Sequence, residues 1–245
     1  MNTKSDPDQT TKQAAQSVIR HAATLKKKFT IVSSALALAL VLALPSPAAN
    51  PNSQTSTVLD PAGDAVFPTD LYGAPVPPYL DMVKVSVSYS RSIFHFEVQM
   101  NAPIPATPSP DFTITPNHMG PVFGIMSDRR TAVSGFNFFG YNGSYRFNFL
   151  VGAVYFFADS GVGLPLGWTG LLFDLNNSTI VALPVKIQGS TISFETSADS
   201  LGNPASFLYV VATECHDVPE TEEKSKDQLM ADFVPDHGYA SWPAP

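Results

Sequence analysis

Residues 82–100 read MVKVSVSYSRSIFHFEVQM, and their rhythm decides the fold class. Val83, Val85, Val87 and Tyr89 alternate with Lys84, Ser86 and Ser88. After the short link Ser90–Arg91–Ser92, Phe94, Phe96, Val98 and Met100 alternate with His95, Glu97 and Gln99. A period of two places successive side chains on opposite faces of an extended chain, so each half reads as a half-buried strand. The short link makes the pair a hairpin.

The same rhythm recurs downstream. Phe136 and Phe138 flank Asn137, and Tyr145, Phe147 and Phe149 alternate with Arg146 and Asn148. Asn142–Gly143 between them is a hairpin turn signal, because both residues accept positive φ. Ile192 and Phe194 alternate with Ser193 and Glu195, and Phe207–Ala212 is a continuous apolar run, as expected of a central strand covered on both faces. The chain has 22 prolines, which leave little room for long helices after Pro45. The expectation is an all-β chain folded as an antiparallel β-sandwich. Pro75–Pro78 and Pro103–Pro110 read as end loops, Ser197–Asn203 as a turn, and Glu214–Asp232 as a long acidic loop.

The N-terminal part reads differently. Lys26–Lys27–Lys28 precedes a 16-residue apolar run, Phe29 to Leu44, which Pro45 and the small residues Ser46–Pro47–Ala48–Ala49 close. Such a run is short for a membrane span, which needs ~20 residues. It suits an export signal, with an uncleaved anchor helix as the alternative. The expected plan is a polar leader and signal over 1–49, a linker over 50–57 and the β-domain over 58–242. The location that follows is secreted, extracellular or periplasmic, with membrane contact only through an uncleaved signal segment.

Charge narrows the partners. Residues 1–49 hold 6 of the 14 basic and 2 of the 21 acidic groups, so the remaining 196 residues carry 8 and 19, a net charge of -11. This surface repels phosphate backbones, which excludes nucleic acid as a partner, and it suits a hard divalent cation. The one cysteine, Cys215, rules out an internal disulfide, and acidic neighbours argue against a reactive thiolate.

Asp60–Pro61–Ala62–Gly63–Asp64 is the clearest local motif. Two carboxylates bracket a tight turn, and the glycine lets the backbone bend so that both face one point. Calcium takes six to eight oxygens, which such a turn supplies in part. Asp81, and Asp232 or Asp236, complete the set if the ends of the domain meet. Asp128, next to Arg129–Arg130, reads as an ion-pair partner. Trp168, Trp242, Tyr141 and Tyr155 are the aromatic residues to consider for stacking on a sugar, set against core packing. There is no Gly-x-Ser-x-Gly elbow, His-Glu-x-x-His motif or paired-cysteine zinc spacing, so a non-enzymatic role is expected, with an extracellular hydrolase as the least supported alternative.

In order, Asp60–x–x–Gly63–Asp64, the hairpin Asp81–Met100, Ser190–Phe194 leading to Leu201–Gly202–Asn203–Pro204, and Asp232–Gly238 resemble secreted bacterial β-sandwich domains related to family 9 carbohydrate-binding modules and the DOMON group. The resemblance implies a jelly-roll-like sandwich, often with a structural calcium, that binds carbohydrate or a cell-surface glycan. In some relatives it implies haem instead, held by a methionine with a histidine or lysine. Met100, Met119, Met126, His95 and His118 are the residues available for that, and none aligns with a haem ligand. The tryptophan clamp of sugar-binding relatives is not evident with two tryptophans.

Overall fold

Fourteen strands among the described residues form two large antiparallel sheets and one small two-stranded sheet. The computed structural model describes residues 54–66, 76–108, 116–134, 145–157, 163–217 and 229–244, all within the unit Asn50–Pro245. The leader, the signal segment, Tyr141, the Asn142–Gly143 turn, Phe136 and Phe138 lie outside them. Among the described residues no helix is long and apolar enough to cross a membrane.

The strands are β1 (Gln54–Leu59), β2 (Met82–Ser90), β3 (Ile93–Met100), β4 (Pro116–Met126), β5 (Val133–Ser134), β6 (Arg146–Phe147), β7 (Phe149–Phe156), β8 (Gly167–Asp174), β9 (Thr179–Leu183), β10 (Val185–Gln188), β11 (Thr191–Ser197), β12 (Phe207–Asp217), β13 (Leu229–Val234) and β14 (Ala240–Trp242). The first sheet runs β1-β2-β3-β11-β10, and the second runs β13-β12-β4-β7-β8-β9 with β14 also paired to β12. Strands β5 and β6 pair with each other.

The inner faces of the two large sheets share one core. Val85, Val87, Phe94, Phe96, Ile192 and Phe194 from the first sheet pack in one cluster with Phe123, Ile125, Val151, Phe207, Tyr209 and Val211 from the second. Rings in it meet edge-on, as Phe96 and Phe123 do at 5.0 Å and 70°, the arrangement that aromatic quadrupoles favour. The outer face of the second sheet is covered as well: Val210 and Ala212 of β12 join Val122, Leu150, Val154, Tyr145 and Phe147 in a second cluster. This explains the continuous apolar run at 207–212, since both faces of β12 are dry.

Four expectations change in detail. Residues 54–57, read as linker, belong to β1, where Ser56 and Thr57 pair with Val87 and Ser86; the hydroxyl residues suit a sheet edge. Val83 was expected to point inward with Val85. The register between Met82 and Lys84 shifts by one residue, and Met82 is buried in the core instead. Such a bulge turns the strand locally and re-aims its first side chain. Phe147 and Phe149 were expected on one face, yet Phe147 lies in the outer cluster and Phe149 in the inner one. Between them the buried Asn148 breaks the strand: its Oδ1 accepts the Ser127 and Asp128 amides, both at 2.9 Å. The segment read as an acidic loop from Glu214 is strand at both ends, since β12 runs to Asp217 and β13 starts at Leu229.

The hairpin of residues 82–100 forms as expected. Arg91 and Ser92 carry positive φ, 51° and 64°, the backbone of the two-residue turn that matches strand twist.

Candidate metal centre

Three chain segments far apart in sequence meet at one end of the first sheet. β1 pairs with β2 as far as Leu59 and Lys84, and the Asp60 amide continues the ladder by donating to the Val83 carbonyl at 3.1 Å. The chain then turns through Gly63, whose φ of 87° is one that glycine tolerates at no steric cost. Asp64 follows. Asp81 sits between a single 3-10 turn, Pro78–Leu80, and β2. Asp232 lies in β13, and Asp236 follows that strand.

Hydrogen bonds fix the buried members. Asp81 Oδ2 accepts the Gly63 amide at 2.8 Å and the Asn101 side-chain amide at 2.7 Å. Asp232 Oδ2 accepts the Met82 amide at 2.6 Å, and its Oδ1 accepts the Phe233 amide at 2.8 Å. The Thr213 hydroxyl ties β12 to the same corner by donating to the Leu80 carbonyl at 2.6 Å. Asp81 and Asp232 are 3% and 6% exposed.

The carboxylates form two overlapping triads. Asp60, Asp64 and Asp236 place one oxygen each within 4.8 Å of one another, and so do Asp64, Asp81 and Asp232. Oxygens bound to one calcium at 2.3–2.6 Å lie no more than about 5 Å apart, so each triad fits around one such ion. Two oxygens in the cluster are buried and have no hydrogen-bond partner: Asp81 Oδ1 and Asp60 Oδ2. A buried, unpartnered carboxylate oxygen is costly, and native structures rarely leave one so. Among the described residues no lysine or arginine forms an ion pair with any of the five.

Protonation reflects this crowding. Burial, followed by the charges of Asp232, Asp64, Asp236 and Asp81, raises Asp60 to about 8. Burial raises Asp232 to about 7 against the lowering effect of the Met82 and Phe233 amides, with Asp64 and Asp81 adding to the rise. An oxygen-only donor set with orphaned buried oxygens fits a hard cation such as calcium, which takes six to eight oxygens in flexible geometry. Of the expected set, Asp60, Asp64 and Asp236 meet in one triad and Asp81 meets Asp64 in the other, where Asp232 joins rather than replaces Asp236. Asn101 was missed. The bulged pairing of Met82 with Met100 sets it beside Asp81; the regular register counted back from the turn pairs Asn101 with Met82 instead, so no local signal marked it.

The aromatic residues fare differently. Trp242 is 2% exposed and stacks on Phe207 at 5.3 Å while meeting Phe94 edge-on at 4.7 Å. It is core, which removes it from any sugar-stacking surface. Tyr155 and Trp168 are cross-strand partners in β7 and β8, both half-buried, with rings 5.6 Å apart at 76°. The Trp168 indole N–H donates to the Pro105 carbonyl at 2.9 Å. Their planes are crossed, so the two do not form parallel plates. Met100 and Met119 are buried in hydrophobic surroundings, and the His95 ring is hydrogen-bonded to Glu195 at 2.9 Å. Asp128 pairs with Arg130 at 3.2 Å, the structural role expected of it, and this lowers its pKa. No protein-family model matches the chain, and no curated protein matches it in sequence.

Proposed function

We propose that the protein is an exported, non-enzymatic binding module, a jelly-roll-like β-sandwich braced by calcium at the Asp60–Asp236 cluster, with carbohydrate as its ligand class. The observation that carries the calcium assignment is Asp81: a carboxylate 3% exposed, with one oxygen held by two donors and the other without a partner. A cation satisfies the free oxygen and offsets both the burial and the neighbouring carboxylate charges that raise Asp60. It ties the turn after β1, the start of β2 and the end of β13 into one corner. Export rests on the Lys26–Leu44 segment. Carbohydrate binding rests on the half-buried Trp168 beside Tyr155.

Calorimetric titration of the full chain with calcium chloride tests the first part, with saturable binding in wild type and the tighter step lost in Asp81→Asn as the expected result. No binding heat, with folded protein in the cell, contradicts it. A glycan array run with wild type and Trp168→Ala tests the second part; glycan signals unchanged by that substitution would remove Trp168 from the account.

A further inference from the structure

Resting on the calcium assignment above, we propose that the corner holds two divalent cations, not one, with Asp64 as the bridging ligand. The five carboxylates do not converge on a single point. They resolve into two triads that share Asp64 alone. Each triad contains one of the two residues that carry a buried oxygen without a partner, Asp60 in the outer set and Asp81 in the inner set. One ion in the inner triad leaves Asp60 without a cation, and one ion in the outer triad leaves Asp81 without one. Two ions satisfy both.

Charge points the same way. Ionised, the five groups bring five negative charges, of which one dication offsets two and a pair offsets four. A carboxylate has two oxygens and serves two metals without strain, so Asp64 is chemically suited to the shared position.

The two sites differ in character. The inner one is built from Asp81 and Asp232, both buried and both locked by backbone amides. The outer one uses Asp236, which is exposed, and Asp60, which is partly so. The inner ion is the tight, structural one. The outer ion exchanges more readily and keeps coordination positions open to water or to oxygens of a bound ligand.

Equilibrium dialysis of the full chain against calcium measures the count. Two ions per chain in wild type, and one in Asp236→Asn, are expected. Asp236 is exposed, so that variant retains the fold and reports on the outer site alone. One ion in wild type overturns the paired site and leaves the calcium assignment standing; none overturns both. Two ions retained in Asp236→Asn would also overturn the proposal. Asp64→Asn adds an independent readout: it weakens both binding steps if Asp64 bridges, and one step only if it does not.

Discussion

The Gly63 amide and the Asn101 side chain share one oxygen of Asp81, at 2.8 and 2.7 Å, and leave its other oxygen buried without a donor. Gly63 belongs to the turn after β1 and Asp81 to the entry into β2, so this contact joins two segments at the point where a cation is proposed. Asp81→Asn keeps the size and one acceptor while removing the charge. The variant should fold, and the rise of its melting temperature in calcium should be markedly smaller than in wild type. Asp81→Ala strands the Gly63 and Asn101 donors as well, and should cost about 2–3 kcal/mol in denaturant unfolding.

Acid and base act on the metal-free protein in a defined direction. Asp60 at about 8 and Asp232 at about 7 both lie above the ordinary value of 3.8. The folded state therefore holds these protons more tightly than the unfolded chain. The stability they contribute is complete below about pH 4 and is lost as pH rises through about 7 and 8. In a chelator, melting temperature should fall between about pH 5 and about pH 9, and saturating calcium should offset that fall, because the cation stabilises the ionised forms. Thermal melts across that range check both. A metal-free protein that gains stability toward alkaline pH would contradict the assignment.

Gly120 tests the second sheet independently of the corner. Its φ is +147°, and a Cβ there would lie 2.2 Å from the Ala153 carbonyl oxygen of β7. Since backbone cannot yield as a flexible side chain does, Gly120→Ala should destabilise by more than ~2 kcal/mol in urea unfolding.

Ser92 offers a gain. It holds a left-handed φ of 64° without being glycine, a conformation that costs an L-residue roughly 1 kcal/mol. Ser92→Gly should raise stability by up to about 1 kcal/mol, read from the denaturation midpoint.

The two tryptophans should separate cleanly. Trp242→Ala leaves a hole among Phe94, Phe207 and Tyr89 and should cost about 3–5 kcal/mol. Trp168→Ala removes a half-buried ring and should cost clearly less.

The period-two pattern of residues 82–100 was enough to find the hairpin, because one face of each strand had to be dry. The bulge at Val83 was not legible, since a one-residue slip leaves the composition unchanged and shows only in the pairing of Met82 with Met100. The Asp60–Asp64 turn announced its chemistry through residue type, and Asp81, Asp232 and Asp236 could be named as partners. That Asp232 and Asp236 serve different triads depends on β13 lying beside β12, a long-range pairing that local sequence does not encode. That core packing and not sugar stacking holds for Trp242 depends on similar long-range pairing. Its place beside Phe207 comes from β14 pairing with β12, and its contact with Phe94 comes from the facing sheet.

A cation at the Asp60–Asp236 corner is proposed to hold the two ends of the domain together. Differential scanning calorimetry of the full chain at neutral pH, with excess calcium and with EDTA, tests it most directly. A higher melting temperature in calcium is expected, corresponding to ~3 kcal/mol at a hundredfold excess over the dissociation constant, with a clearly smaller difference in Asp81→Asn. Superimposable wild-type melts in calcium and EDTA would contradict it.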